Sequence, residues 1–564
     1  MLHTTFCSPR LFACLGLFFT SLLLTACNSD SSPDTLLING NILTVDEADR
    51  VVEAIALSDN LITAVGSQEE MLALASDDTE IIDLNGQTLI PGFVAAHEHP
   101  TLTAVFSGLV DLSGFNNDSA ADMWSRLQQE IDNTPKGEWV FAMGLDPILM
   151  PDLKMPDRAF LDQIAPDNPL LIIAQSMHSF WANSQAFEAV GIDSNTPDPG
   201  HGSYYGRDAN GELNGFMSES AVDPFMEPLK SPLRVINRYE LALQSLLESG
   251  ITSVASLGFN VPPLLARYAA SDQFQARIRQ FVYLRQEEID MLPDSPDNGD
   301  DFYRILGIKL WHDGSPYTGS MYLSKPYLTN KTTAMMGIPP GHRGEPVIDA
   351  STFKQSLRQY SDQGWQLAVH SQGDLSNEWS AQAFEEVLGT DAKERRHRFE
   401  HGVLLPKRLL DQFARLGLTP SFHINHIYYY GDALRDKILG PMWAQQVLPV
   451  KAAFERGLRP SLHADTPMFP ANPLSLMQTA VTRKTSSGQT LGLDQAITPQ
   501  QALRAVTINA AWQLHMEDKI GSIEVGKQAD LTLLSANPYQ LPAEQWSKIK
   551  VQQVWLAGQT RLTE

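Results

Sequence analysis

The chain has 564 residues and a formal net charge of −25, set by 66 acidic against 41 basic side chains. Acidity on that scale argues against binding nucleic acid, whose phosphates it would repel, and the length suffices for a large core plus a second folded unit. Its three cysteines, Cys7, Cys14 and Cys27, fall near the start, so the chain beyond them has no disulfide, thiol nucleophile or thiolate ligand.

The first element is a leader. MLHTTFCSPR carries one basic residue, Arg10, and LFACLGLFFTSLLL is an apolar run of signal-peptide length, short for a membrane span. Leu24-Thr25-Ala26-Cys27 resembles the lipobox of bacterial lipoproteins. The expectation is a signal peptide over 1–26, lipidation of Cys27 and a polar tether over 27–34. An ordinary secretory signal with Cys27 incidental is the alternative. Either leader implies export, and lipidation implies a cell-envelope protein on the periplasmic or surface face. No later stretch is apolar for long enough to cross a bilayer, so the expected membrane contact is the lipid anchor alone.

Residues 35–90 break into short β-like runs with Asn-Gly turn signals at Asn39-Gly40 and Asn85-Gly86. The same texture returns over 519–564, which predicts one small β-sandwich built from both ends. Between them, over 91–518, strands alternate with amphipathic helices. The candidate strands are 88–96, 251–257, 277–284, 305–311, 366–370, 396–400, 417–422 and 459–464. Eight such βα units predict an α/β fold, a (β/α)8 barrel of TIM type with its active site at the C-terminal strand ends. The excess at about 101–230 has apolar runs and turns of its own. It is expected to be an inserted subdomain covering the barrel mouth rather than a structureless loop.

Chemistry-bearing residues fall at those strand ends. His97 and His99 are two apart, so on a strand they share a face and Glu98 points away. Lys309 lies in the apolar run ILGIKLW, where a charged amine is costly to bury. It either pairs with Asp313 or, once neutral, is carboxylated by CO2 to a carbamate that bridges two cations. His370 and His401 each close an apolar strand and read as ligands of a second cation. Asp465 follows RPSLHA; it can bind a cation and accept a proton from water, or cap the next helix. Four imidazoles, one carboxylate and one lysine suit a pair of divalent cations that activate water, which makes Asp465 the candidate catalytic residue. His178, His312, His423 and His463 are candidate substrate contacts, His178 foremost, with Trp181, Asn183 and His426 behind them.

PGFVAAHEHP, GIKLWHDGS, LAVHSQGD, FEHGVLL and HADTP resemble the metal-ligand segments of the amidohydrolase superfamily. DNPLLIIAQSMHSFWANSQAFEAVGI is similar to its long-insert, YtcJ-like branch, which includes N-substituted formamide deformylase. The resemblance spans about residues 40–560. It implies two metal ions, usually zinc, with His97, His99 and Asp465 on one, His370 and His401 on the other, and carboxylated Lys309 between them. It further implies hydrolysis of a carbon–nitrogen bond in a small amide, N-formyl compound or cyclic amide by a metal-activated hydroxide. Two departures bear on the substrate: His463-Ala464 stands where many relatives have Gly-Ser, and His423 where they often have glutamine. An ester or phosphoester hydrolase, or a lipid-anchored binding or sensory protein, are the alternatives. A homodimer is compatible with all of them.

Overall fold

Eight parallel strands wind around the middle of this computed structural model, which describes residues 32–563 apart from 201–202, 272 and 275–276. The leader, the Cys27 lipidation site and the first part of the tether lie outside the described residues. Among the described residues no helix is long and apolar enough to cross a membrane.

The strands are β1 Phe93–Glu98, β2 Ile251–Leu257, β3 Arg279–Leu284, β4 Tyr303–Trp311, β5 Gln366–Ser371, β6 Arg398–His401, β7 Thr419–Phe422 and β8 Ser461–Leu462. They neighbour one another in chain order, and β8 and β1 are the two ends of the sheet. The result is a nearly closed parallel barrel of the TIM type. Most of its strands, β1 and β5 among them, are buried along their whole length, because helices cover the outer face. The helix Ala350–Asp362 shows how the sequence arranges this. Asp349 caps it by accepting the Ser351 and Thr352 amides, and Phe353, Leu357 and Tyr360 recur at helical spacing on its buried face.

The first expected strand, 88–96, is in fact two. Thr88–Pro91 belongs to another sheet, and β1 begins after Gly92. A Cβ at Gly92 would lie 2.3 Å from Thr252 Oγ1, so only glycine lets the chain pass from one sheet to the other here. That other sheet has six strands and draws on both ends of the chain: Asn41–Leu43, Val51–Val52 and Thr88–Pro91 with Leu531–Leu534, Val551–Leu556 and Gln559–Thr563. A four-stranded sheet, Thr35–Ile38, Ala54–Ser58, Leu61–Gly66 and Glu80–Asp83, shares an apolar cluster with it that includes Leu37, Ile55, Leu89 and Trp555. The Asn85-Gly86 turn has both residues in the left-handed region, at φ 52° and 73°.

Between β1 and β2 a further six-stranded sheet forms within residues 110–218. Strict alternation in Leu170–Ala174 sends Leu171 and Ile173 into one apolar cluster, and Leu170 and Ile172 into another. This sheet touches the loops that follow β7 and β8. Gln175 Nε2 donates to Met468 O at 2.5 Å, Tyr430 OH donates to Asp146 at 2.6 Å, and the Phe115 and Tyr429 rings lie 4.4 Å apart.

His397, just before β6, is buried, and its Nδ1 accepts the Leu367 amide at 2.9 Å, tying β6 to β5. Burial, with Arg395 and His515 nearby, pushes its pKa from 6.5 down to about 3. Between those values only the unfolded chain takes up the proton, so stability is full above about 6.5 and falls as pH drops toward 3. We expect the thermal midpoint of His397→Asn to fall less between pH 7 and 5 than that of the wild type, by the equivalent of at most about 2 kcal/mol. Equal falls in both chains, read by calorimetry, would refute this.

Candidate metal centre

Six residues spread over five strand ends meet at the C-terminal mouth of the barrel: His97 and His99 from β1, Lys309 from β4, His370 from β5, His401 from β6 and Asp465 beyond β8. All are buried. Asp465 Oδ1 lies 3.0 Å from His99 Nε2 and 3.3 Å from His97 Nε2, and Oδ2 lies 3.7 Å from His401 Nδ1. The His370 and His401 rings are 4.3 Å apart, and those of His97 and His401 4.8 Å. His401 and Asp465 both have left-handed backbones, at φ 72° and 59°.

Electrostatics keep this cluster ready for cations. Burial would raise the Asp465 carboxyl, but His97, His99 and His401 outweigh it and hold its pKa well below the usual carboxylate range. Burial pushes His370 and His401 well down, so both are neutral lone-pair donors. Lys309 is pushed down to about 8, chiefly by burial, against the pull of Glu400 and Asp465. The alternative pairing of Lys309 with Asp313 is not realised. Asp313 instead accepts the amides of Tyr322, Gln372 and Gly373 at 3.0, 2.9 and 2.8 Å.

Several buried atoms of the cluster have no hydrogen-bond partner among the described residues: His97 Nε2, His401 Nε2, His423 Nδ1, Lys309 Nζ and Asp465 Oδ1. Nitrogens close to a carboxylate without hydrogen-bond alignment are what ligands look like when arranged around a shared centre. His97, His99 and Asp465 could hold one cation, as could the groupings His97, His401, His463 and His401, His423, Asp465. Nitrogen and oxygen donors of this kind suit zinc and its neighbours.

The ligands are themselves oriented. His97 Nδ1 lies 2.7 Å from Glu400 Oε2, which leaves Nε2 for a cation. Burial would raise Glu400, but Arg398, 2.8 Å away, and His97 hold it at about 2. Arg398 also donates to Ala96 O at 2.7 Å. His401 Nδ1 lies 3.3 Å from His463 Nε2, and His463 Nδ1 lies 2.8 Å from Ser421 Oγ. His423 Nε2 donates to Ala464 O at 2.8 Å, so its Nδ1 presents a lone pair, 3.7 Å from Asp465 Oδ2.

The expected substrate contacts divide. His178 is partly exposed, and its Nδ1 lies 2.9 Å from Glu219. Burial would lower its pKa, but Glu219 more than compensates, so it is raised. His423 and His463 are fully buried and lie in the candidate cation groupings themselves. His312 is a correction: it packs outside the barrel wall against Phe353 and Trp379, with Nδ1 2.8 Å from Ser376 Oγ. Asn183 is another, because it caps the helix Ser184–Val190, while Trp181 sits in the apolar cluster of the six-stranded sheet. His426 is buried, with Nδ1 2.6 Å from Tyr317 OH. Glu98, Asp313, Arg398 and Glu400 were not among the expected site residues. The run RFEH, with charged residues two apart on a buried strand, was the available signal for the last two.

A model described as the amidohydrolase family matches residues 80–561. The N-substituted formamide deformylase of Arthrobacter pascens is 26% identical over 552 residues, covering 94% of this chain and 98% of its own. YtcJ of Bacillus subtilis (strain 168) is 26% identical, covering 91% of this chain and 96% of its own. Among solved structures, metal-dependent hydrolases of Pyrococcus horikoshii OT3 and Pyrococcus furiosus share the fold. Their TM-scores are 0.72 and 0.70 at 23% and 24% identity, over 91% and 90% of this chain and 99% and 100% of theirs.

Replacing Glu400 by Gln should release the His97 ring and strand the Arg398 charge. We expect zinc affinity, measured by equilibrium dialysis, to fall about 10–100-fold, with a stability loss of about 3–5 kcal/mol. Unchanged affinity would show that His97 needs no anchor.

Proposed function

This chain belongs to the amidohydrolase family, and from that premise we propose that it hydrolyses a carbon–nitrogen bond in a small amide, N-formyl compound or cyclic amide. The observation that carries the reading is the convergence of His97 Nε2 and His99 Nε2 on one oxygen of Asp465, at 3.3 and 3.0 Å. His97, His99 and Asp465 would hold one divalent cation, His370 and His401 a second, and Lys309, as a carbamate, would lie between them. Bound there, zinc or a similar ion supplies Lewis acidity that polarises the carbonyl and makes water a better nucleophile at neutral pH.

The side chains do the rest. Asp465, ionised in the resting site, accepts the proton of the attacking water and returns it to the leaving nitrogen. Lys309 reacts with CO2 as a neutral amine, and a pKa near 8 leaves an appreciable neutral fraction at physiological pH. The orphaned Nζ supports that role. His178, partly exposed and paired with Glu219, is the residue we assign to contact substrate from the inserted sheet.

We read residues 91–518 as the catalytic barrel, with an insert over about 101–230, and 35–90 with 519–564 as a composite sandwich, supported by the shared apolar cluster. The lipobox-like Leu24-Thr25-Ala26-Cys27 supports export and anchoring by lipid at Cys27.

The test is metal analysis of the soluble chain from Asn28 onward, with assays on N-formyl amines, N-acyl amino acids, cyclic imides and simple esters. We expect two cations per chain and amide turnover that falls at least about 100-fold in Asp465→Asn. A chain that binds no cation would overturn the reading, and turnover confined to esters would move it to the ester class. Cys27→Ser should release the full-length chain from the membrane fraction; equal membrane retention would overturn the anchor.

A further inference from the structure

Asp465 has little regular structure to hold it. β8 ends at Leu462, and β8 and β1 are the two ends of the barrel sheet, with no ladder between them. Its own backbone is left-handed, at φ 59°, a conformation that costs a non-glycine residue about 1 kcal/mol or more. Something outside the ladder must fix it.

Glu98 meets that need. Alternation along β1 turns it away from the side His97 faces, toward the open seam. Its Oε1 accepts the Ala464 amide at 3.2 Å and its Oε2 accepts the Thr466 amide at 2.6 Å, the two amides on either side of Asp465. A return bond runs from the His99 amide to Thr466 O at 3.2 Å. Glu98 is 1% exposed, and among the described residues no cationic side chain pairs with it. A small cavity beside it is bounded mostly by apolar side chains, Val94, Ile251, Leu462 and Leu476, with Asn472. A carboxylate is costly to bury in such a place, and the two amides, with the Thr466 side chain, offset part of that cost. These hydrogen bonds tie β1 to the segment around Asp465 across the seam.

We infer that Glu98 is a positioning residue that sets the Asp465 carboxylate against His97 and His99. Resting on the metal reading above, this makes His97-Glu98-His99 one device: two residues bind the cation, and the residue between them fixes the third ligand. Glu98 falls in none of the candidate cation groupings among the described residues.

The experiment uses the soluble full barrel chain, loaded with Co2+ as a spectroscopic probe. In wild type, the amides of Ala464 and Thr466 should exchange slowly with deuterium even before cobalt is added. Glu98→Gln keeps the size but offers one acceptor oxygen instead of two. It should weaken one of the two cobalt sites about 10–100-fold, change the visible absorption of the cobalt that remains, and lower kcat, with KM within about twofold. Glu98→Asp, too short to span both amides, should behave alike.

A folded Glu98→Gln or Glu98→Asp chain with wild-type cobalt affinity, spectrum and kcat would overturn the inference. If neither variant folds, fast exchange at Ala464 and Thr466 in the wild type overturns it, and slow exchange supports it. A wild type that binds no cobalt would sink the metal reading instead, leaving the brace to the exchange measurement.

Discussion

A lone pair buried away from water needs a proton or a cation, and that requirement governs the upper half of this barrel. The mouth gathers imidazoles, an amine and a carboxylate where a globular core would place aliphatic side chains. Each imidazole has one nitrogen tied down: His97 by Glu400, His401 by His463, His423 by Ala464 O. In His97 and His423 the other nitrogen is left beside the Asp465 carboxylate. The polar groups below form a consistent stack, with Arg398 balancing Glu400 and Ser421 orienting His463. Without that stack the rings could flip their tautomers and satisfy one another, and the site would collapse into an ordinary hydrogen-bonded core.

The same logic appears twice in the backbone. Asp313 gathers three amides, two of them in the turn after His370, and Glu98 gathers two around Asp465. Burial pushes both carboxyls up to about 7, and the amides pull against it. Buried carboxyls without a partner cation are thus used to hold strand ends where regular pairing has stopped. Strands deliver the ligands to within reach, and carboxylate–amide bonds set the final ångström.

Much of this architecture was legible because buried parallel strands are written as unbroken apolar runs. β4 and β5 were found within two residues of their ends for that reason. The run at 88–96 misled because two strands of different sheets abut there, and the only sign is Gly92, whose need is set by Thr252, far along the chain. Side-chain direction was readable in part. Lys309 and His312 are three apart and so take opposite faces, which already points His312 away from the centre. His463 and Asp465 are two apart and turn out to lie in the same cluster. What spacing cannot reveal is pairing across hundreds of residues: Glu400 with His97, and Glu98 with the segment around Asp465. These depend on barrel closure, which no local pattern encodes.

The six-stranded sheet drawn from both ends carries a consequence for how the chain comes into being. Thr88–Pro91 is hydrogen-bonded to Leu531–Leu534 and leads directly into β1. Until those last strands have been synthesised, an apolar edge stays unpaired at the entrance to the barrel. The nascent chain can build helices and interior strands as it emerges, yet it cannot finish this six-stranded sheet before residues 531–563 have been made. Folding of this sheet is thereby coupled to synthesis of residues 531–563, and a message cut short before them yields a chain with an open edge.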